Sequence, residues 1–352
     1  SSAASDVYKR QDQTLELLAF SEEISNQPTI TEFTKVDLTG GQEIEGAKMQ
    51  ILDQEGKVVE EWVSKKEAHV VYALAPGEYI LHEEQAPTEQ GYVRAEDVKF
   101  VVEETGDVQK VKMEDDHTKV SISKTDITDG KEIEGAKLQI LDQDGEVVES
   151  WTTGEEHLIE YLPVGTYTLH EEAAVDGYIV ANDVEFTVEE TGEIQKVKME
   201  DERAMGQLVI VKTDTDSKAA LEGVEFVLLE KETGKEVGRL KTGKDGKAVS
   251  ELLPIGTYEN GVFKEPITYV LKETATLKGY EKTEEEWEIV FTYQNDKTPV
   301  IEVVKEIQNK KIPETPGTVK PGPKTGDDTN WFLPLLALGV SAGMVAGLLY
   351  YR

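Results

Sequence analysis

The sequence predicts an all-β fold built from tandem β-sandwiches. The segment Glu43 to Gly56 recurs almost unchanged as Glu132 to Gly145, at an offset of 89 residues, and a more diverged copy begins at Leu221. Within each copy, short runs rich in Val, Ile and Tyr are separated by turns of Gly, Asp and Pro, and helical periodicity is hard to find. Repeats of roughly 90 residues with this pattern are typical of small antiparallel sandwiches.

Composition limits the classes of function that the chain can have. Its 352 residues are enough for two or three domains. The absence of cysteine excludes a disulfide scaffold and a Cys-ligated zinc site. With 71 Asp and Glu against 37 Lys and Arg, the net charge of -34 repels nucleic acid and anionic lipids and favours an extracellular or surface role. We expect no nucleic-acid partner, no metal site and no cofactor.

Three charged or polar positions extend apolar strand faces in every repeat. Alternate side chains of a strand share a face, so the glutamate of each Tyr-x-Leu-x-Glu box continues the face of its Tyr and Leu. A lysine in the opening strand and an Asp or Asn in the closing strand do the same. One such residue is usually a strand end emerging into water, but three types in the same order in three repeats make coincidence much less likely. The sets are Lys35, Glu83 and Asp115; Lys124, Glu171 and Asp201; and Lys212, Glu273 and Asn309.

The order of segments along the chain follows from these repeats. Residues 1–11 resemble a translated sequencing adapter and are interpreted as an artefactual start. Asn26 precedes Lys35 by nine positions, as Asp115 precedes Lys124, so residues 12–30 are interpreted as the remnant of an earlier repeat without a stable fold of its own. The predicted domains are 31–116, 117–202 and 203–311, followed by a Pro-rich linker at 312–322 and a C-terminal segment at 323–352.

The C-terminal segment contains an uncharged stretch, residues 331–351, that predicts a transmembrane helix. Its 21 residues are enough to span a bilayer. Trp331, Tyr350 and Tyr351 lie at its ends, where interfacial aromatic residues belong.

The three repeats resemble the Cna protein B-type domain, also called the SpaA-like or prealbumin-like domain, of Gram-positive surface proteins and pilins. The resemblance covers about residues 31–311 and combines the Lys-x-Asp openings, the Gly-Ala turns at Gly46 and Gly135, and the Tyr-x-Leu-x-Glu boxes. It implies prealbumin-like Greek-key sandwiches. It also implies an intramolecular isopeptide bond between the lysine and the Asp or Asn of each set, promoted by the glutamate as the catalytic residue. In the longer third copy, Glu259 and Asn295 are alternative candidates.

The chemistry explains why these residue types would occur together. A lysine at its usual pKa of about 10.4 is protonated and not nucleophilic, and burial disfavours both its charge and that of a carboxylate. An apolar core could therefore hold a neutral amine beside a protonated glutamate that polarises the Asp or Asn carbonyl and transfers protons. The alternative is a buried salt-bridged triad without a covalent step.

The C-terminus resembles a sortase cell-wall sorting signal. Its elements are the motif Pro323, Lys324, Thr325 and Gly326, the apolar span, and Arg352 at the end. The common motif begins with Leu-Pro, whereas Gly322 precedes Pro323 here, which leaves the class of sortase open. The implied partners are a sortase and a peptidoglycan or pilin amine acceptor, and the implied location is the Gram-positive cell wall.

Together these features predict a wall-anchored stalk or adhesin segment that is not itself an enzyme. Two alternatives remain: a subunit of a sortase-assembled pilus, or the stalk of a surface enzyme whose catalytic part lies upstream. A host or matrix ligand would be bound through an N-terminal region that precedes this sequence.

Overall fold

The computed structural model describes residues 28–314. Within this range, no helix is long and apolar enough to cross a bilayer. Several predicted features lie outside the described residues, namely the artefactual start, residues 12–27 with Asn26, the linker from residue 315 onward, the sorting motif Pro323 to Gly326, and the helix at 331–351.

The first repeat folds into two four-stranded sheets that pack face to face. One sheet has the strand order β4-β1-β8-β6 and the other β3-β2-β5-β7, and a single 3-10 turn, Thr88–Gln90, precedes β6. The strands are β1 (Ile30–Asp37), β2 (Lys48–Leu52), β3 (Val58–Val63), β4 (His69–Tyr72), β5 (Gly77–Gln85), β6 (Tyr92–Val93), β7 (Val98–Val102) and β8 (Val108–His117).

The second repeat has the same architecture, with sheet orders β12-β9-β16-β14 and β11-β10-β13-β15. Its strands are β9 (Lys119–Asp126), β10 (Lys137–Leu141), β11 (Val147–Thr152), β12 (His157–Glu160), β13 (Gly165–Ala173), β14 (Tyr178–Ile179), β15 (Val184–Val188) and β16 (Ile194–Arg203). Strands β1, β8 and β16 each extend one residue beyond the repeat boundaries expected from the sequence.

The third repeat keeps both sheets and adds a hairpin. In one sheet β17 pairs with β20, β21 and β26; the other has the order β19-β18-β24-β25, and β22 pairs with β23 where the sequence carries its insertion. The strands are β17 (Met205–Asp214), β18 (Glu225–Glu230), β19 (Glu236–Lys241), β20 (Lys247–Val249), β21 (Leu253–Pro254), β22 (Gly256–Glu259), β23 (Val262–Pro266), β24 (Thr268–Ala275), β25 (Glu286–Val290) and β26 (Val300–Asn309). The predicted all-β class is confirmed for the described residues.

One strand pair in each repeat differs from the antiparallel pairing that the sequence pattern indicated. The first and last strands, β1 with β8, β9 with β16 and β17 with β26, are parallel neighbours. Parallel neighbours need a long crossover connection, and the strands between them, most of which lie in the opposite sheet, provide it. This pairing aligns Lys35 with Met113 and Asp37 with Asp115.

Each sandwich has its own apolar core, supplied by the inward faces of both sheets. In the first repeat, Phe33 of β1 and Met113 of β8 meet Met49 of β2 and Leu81 of β5, and all four are almost fully buried. Because alternate residues of a strand share a face, the lysine, glutamate and aspartate that continue these faces enter the same core.

Repeats one and two meet around Tyr161, which has a left-handed backbone with φ of 61°. Its hydroxyl donates to Asp37 Oδ2 at 2.9 Å, and its ring stacks on His117 with 3.9 Å between ring centroids. Gly91 lies directly beneath: a Cβ there would be 2.3 Å from the Tyr161 carbonyl oxygen, and its own φ is +78°. Only glycine meets both requirements at this position.

The hairpin β22–β23 of the third repeat packs against the second repeat. The Tyr258 hydroxyl donates to the Gly177 carbonyl oxygen at 2.8 Å, and the Arg203 guanidinium lies 4.1 Å from the centre of the Tyr258 ring. Tyr293 adds a hydrogen bond to the Tyr178 carbonyl oxygen at 2.9 Å. The insertion that lengthens the third copy therefore forms part of the joint between repeats.

Candidate functional site

The candidate site of the first repeat spans both sheets. Lys35 on β1 and Asp115 on β8 belong to one sheet, and Glu83 on β5 faces them from the other. The Lys35 Nζ lies 2.9 Å from Glu83 Oε2 and donates a hydrogen bond to Asp115 Oδ1. Lys35 is 4% exposed, and both carboxyls are fully buried. The structure therefore brings together the three residues that the sequence predicted as a set.

The second repeat reproduces this arrangement. Lys124 Nζ lies 2.9 Å from Glu171 Oε2 and donates to Asp201 Oδ1, and all three side chains are buried. The parallel register is also the same: Lys124 lies opposite Met199, two positions before Asp201 along the paired strands.

The third repeat brings together Lys212, Glu273 and Asn309. Lys212 Nζ lies 3.1 Å from Glu273 Oε2 and donates to Asn309 Oδ1. The two alternative candidates lie elsewhere: Glu259 is exposed in the β22–β23 hairpin, and exposed Asn295 accepts the backbone N–H of Lys297 at 2.9 Å. The geometry favours Glu273 and Asn309 over these alternatives.

The glutamate is held differently in the Asp and Asn repeats. Glu83 Oε2 accepts the backbone N–H of Ala95 at 2.7 Å, and Glu171 Oε2 accepts that of Ala181 at 2.6 Å. In the third repeat, Glu273 Oε1 instead accepts a hydrogen from Asn309 Nδ2 at 2.7 Å.

The two aspartates are placed so that the neutral carboxylic acid is favoured. Burial raises the pKa of Asp115 to about 7, with the Lys35 charge opposing the shift and Glu83 adding to it. Burial likewise raises the pKa of Asp201 to about 7. Among the described residues, no donor reaches Asp115 Oδ2 or Glu83 Oε1. A proton held between these two carboxyls would satisfy both oxygens.

The lysine of the third repeat is shifted toward its neutral form. Burial lowers the pKa of Lys212, although the hydrogen bond and charge of Glu273 oppose that shift. A neutral amine is the nucleophilic form of lysine. The site thus pairs an amine whose charge is disfavoured with a carbonyl at bonding reach and a carboxyl that touches both, which suits amide formation with acid–base assistance.

A Gly-Tyr pair follows each Tyr-x-Leu-x-Glu box, at Tyr92, Tyr178 and Tyr280. Sequence reasoning assigned no role to this tyrosine or to the aspartate of Lys-x-Asp, and the structure connects them. In the second repeat, the Tyr178 hydroxyl donates to Asp126 Oδ2 at 2.7 Å, and Arg203 Nε donates to the same oxygen at 2.6 Å. In the first repeat, Asp37 Oδ1 accepts the backbone N–H groups that follow it at 2.7 and 2.6 Å. Because both motifs recur in every repeat, their recurrence could have indicated this contact. The contact lies at the end of the opening strand, beside the site.

One contact in the third repeat had no signal in the motifs. Asn309 Nδ2 donates at 2.8 Å to Oγ1 of Thr276, which lies three residues after the glutamate of the Tyr-x-Leu-x-Glu box.

Within residues 28–314, no cluster of three or more His, Asp or Glu side chains is arranged to hold a metal ion.

A family model described as a SpaA prealbumin-like fold domain matches three segments of the chain: residues 29–117, 118–203 and 206–266. These segments make up more than half of the sequence. The first two correspond to whole repeats, and the third covers the first part of the third repeat, up to the end of β23. No curated protein matches the chain significantly.

Among solved structures, the chain is similar to the Bacillus anthracis TIE protein, with 28% identity and a TM-score of 0.54. The match covers 81% of this chain and 51% of that one, so the chain spans about half the length of that protein. It is also matched by BcpA, the major pilin subunit of Bacillus cereus, at 15% identity and a TM-score of 0.46, over 81% of this chain and 100% of that one. A Streptococcal ancillary pilin matches at 16% identity and a TM-score of 0.33, over 82% and 100% of the two chains.

Proposed function

The chain belongs to the family of SpaA prealbumin-like fold domains, and from this premise we propose that it is a surface stalk whose sandwiches are each closed by an isopeptide bond. One observation carries the proposal. In all three repeats a buried lysine amine contacts both the carbonyl oxygen of an Asp or Asn and a buried glutamate. The arrangement is kept in the diverged third copy as well as in the two similar ones, which favours a shared chemistry over incidental buried ion pairs that are costly to bury.

The proposed reaction is a single-turnover condensation within each repeat. The neutral lysine amine attacks Cγ of the Asp or Asn, and the glutamate takes a proton from the attacking nitrogen. The glutamate then returns a proton to the leaving atom, the C–O or C–N bond breaks, and an amide joins the two side chains. In the first and second repeats Asp115 and Asp201 lose water, and in the third Asn309 loses ammonia.

The stalk would be attached to the surface of a Gram-positive cell. A sortase would process the motif Pro323 to Gly326 and transfer the chain to an amine of peptidoglycan or of a pilin subunit. The described repeats would then act as a spacer, without enzymatic activity, for whatever lies N-terminal to them.

Intact mass spectrometry tests the proposed bonds directly. The full chain, expressed without a sortase, is expected to be lighter than its sequence by two waters and one ammonia. The variants Glu83→Gln, Glu171→Gln and Glu273→Gln are each expected to restore the missing mass of their own repeat alone, because each triad is enclosed in a separate core. Glutamine keeps the size of the side chain but cannot carry the proton.

A matched control is available on the same strand. Glu84 follows Glu83 and its side chain is 55% exposed, so Glu84→Gln changes the same charge without entering the core and should leave all three losses intact. A wild-type mass equal to the sequence mass would show that the triads are buried salt bridges without a covalent bond. A loss of two waters without the ammonia would show that Asn309 does not form the proposed bond.

The anchoring step makes a separate prediction. Cleavage is expected between Thr325 and Gly326, leaving the Thr325 carbonyl joined to a cell-wall amine. The C-terminal peptide released from purified wall material by digestion of the peptidoglycan should therefore end at Thr325 with a wall fragment attached. Recovery of mature surface protein that still carries residues 331–351 would contradict this and indicate retention in the membrane.

A further inference from the structure

The atom that leaves in the proposed reaction has very different surroundings in the Asp and Asn repeats. Asn309 Nδ2 has two acceptors, Glu273 Oε1 at 2.7 Å and Thr276 Oγ1 at 2.8 Å. The corresponding oxygens, Asp115 Oδ2 and Asp201 Oδ2, are reached by no donor among the described residues and have only the carboxyl of Glu83 or Glu171 beside them. The Asn repeat therefore contains a contact to the leaving atom that the Asp repeats lack.

The sequence differs between repeats at the position that makes this contact. In every repeat, the residue two positions after the box glutamate pairs with the first residue of the neighbouring strand. The pairs are Gln85 with Lys48, Ala173 with Lys137 and Ala275 with Glu225, so Gln85, Ala173 and Ala275 are equivalent. The next residues are therefore also equivalent: Ala86, Ala174 and Thr276. Both repeats that end in Asp have alanine here, and the one that ends in Asn has threonine.

We infer that Thr276 adapts the third repeat to an asparagine by binding the amide nitrogen that leaves as ammonia. This inference depends on the proposed isopeptide reaction. A primary amide carries two N–H hydrogens, and the two acceptors occupy both. The carbonyl oxygen of Asn309 is thereby directed at Lys212, so that Cγ is presented to the amine.

The contact also acts as the reaction proceeds. The amine of Lys212 adds to Cγ, its surplus proton passes through Glu273 to Nδ2, and the C–N bond breaks to release NH₃. Thr276 Oγ1 accepts a hydrogen from this nitrogen before and after the bond breaks. Thr276 is only half-buried, whereas Asn309 is 2% exposed. The hydroxyl therefore joins the fully buried amide of Asn309 to a residue that is partly open to solvent.

An aspartate does not need this contact. Its carboxyl has no N–H hydrogen to hold, and with a pKa raised to about 7 by burial it can carry its own proton for departure as water. Alanine at the equivalent position is then sufficient.

The test measures how fast each bond forms in the full chain. Because urea does not break an amide bond, the chain is collected unfolded from insoluble inclusion bodies, dissolved in urea, and checked by intact mass for the absence of all three losses. It is then refolded by dilution, quenched with acid at intervals and digested, and the cross-linked peptides are quantified by mass spectrometry. Thr276→Val keeps the shape but removes the hydroxyl and should slow formation of the Lys212–Asn309 bond roughly tenfold, the size expected for one lost hydrogen bond. Thr276→Ser keeps the hydroxyl and should restore the rate to within about twofold.

Two further comparisons separate a role at the leaving atom from a general effect on folding. In the Asn309→Asp background, Thr276→Val should have no effect on the rate, because the amide hydrogen is gone. In the second repeat, Asp201→Asn alone should react slowly, and adding Ala174→Thr should accelerate it. Ala174 is half-buried and can accept the larger side chain, unlike fully buried Ala86.

The outcomes distinguish this inference from the proposal beneath it. If the wild-type chain forms no Lys212–Asn309 bond, the proposed reaction itself fails in this repeat. If the wild type forms the bond and Thr276→Val forms it equally fast, the proposed reaction stands and the role of Thr276 is refuted. A slowed Thr276→Val that serine does not rescue, or a Thr276→Val that is slowed equally in the Asn309→Asp background, would also refute it.

Discussion

The triple variant Glu83→Gln, Glu171→Gln, Glu273→Gln is expected to unfold at a temperature about 20 °C below that of the wild type or lower. The proposed bonds close loops of 80, 77 and 97 residues. If such a bond restricts the unfolded chain as a disulfide does, each contributes about 4–5 kcal/mol to its repeat in the chain-entropy model. For domains of this size, ~1 kcal/mol corresponds to a shift of ~4–8 °C in Tm.

The measurement is thermal unfolding followed by circular dichroism, in parallel with intact mass. The control is the double variant Glu84→Gln, Glu172→Gln, which alters exposed neighbours on the same strands and should unfold with the wild type. A triple variant that has lost its cross-links by mass yet keeps the wild-type Tm would show that the bonds are not the source of stability. Single variants should destabilise one repeat each.

The position of the bonds also has a mechanical consequence. The first and last strands of each repeat are parallel neighbours, and the chain enters by one and leaves by the other. An isopeptide bond between them would carry a pulling force directly from the entering strand to the leaving strand. The hydrogen bonds of the sheets would then bear little of the load, which suits a stalk.

Much of the fold and the site could be predicted because strands have a period of two. Lys35, Glu83 and Asp115 lie on apolar faces, and a face that is apolar in three copies must be buried in all of them. The repeats also supplied an internal comparison, which separated these positions from ordinary strand ends. The same logic favoured Glu273 and Asn309 in the longer third copy, where the sequence left Glu259 and Asn295 open.

Other features could not be predicted because they depend on contacts between distant segments. Parallel pairing of β1 with β8 depends on how the intervening strands cross between the sheets, which local patterns do not encode. The contact of Tyr161 with Gly91 depends on the packing of one repeat on the next. Thr276 stands outside the strand-face pattern, and its contact with Asn309 depends on the exact end of β24.

Bond formation is expected to respond to pH in opposite ways in the Asp and Asn repeats. Burial raises the pKa of Asp115 and Asp201 to about 7, and the protonated carboxyl is the form that an amine can attack. As the pH rises above about 7, the bonds of the first two repeats should therefore form more slowly. Asn309 does not titrate, and burial lowers the pKa of Lys212, so a higher pH supplies more neutral amine and the third bond should form as fast or faster.

The same aspartates determine the sign of the pH effect on stability before the bonds form. A carboxyl whose pKa is about 7 in the folded state and about 3.9 in the unfolded state binds its proton more tightly when folded. Its contribution to stability is complete below about pH 4 and is lost as the pH rises through about 7. The unlinked first and second repeats should thus be less stable at alkaline pH, which adds to their slower reaction.

Refolding of the unlinked chain, dissolved in urea from inclusion bodies, into buffers on either side of pH 7, followed by quantification of the three cross-linked peptides, gives all three rates in one sample. The ratio of the third rate to the first two should increase with pH. The variant Asn309→Asp is the matched control, because it should convert the third repeat to the pH dependence of the other two. Identical profiles in all three wild-type repeats would mean that the lysine or the glutamate, and not the protonated aspartate, limits the reaction.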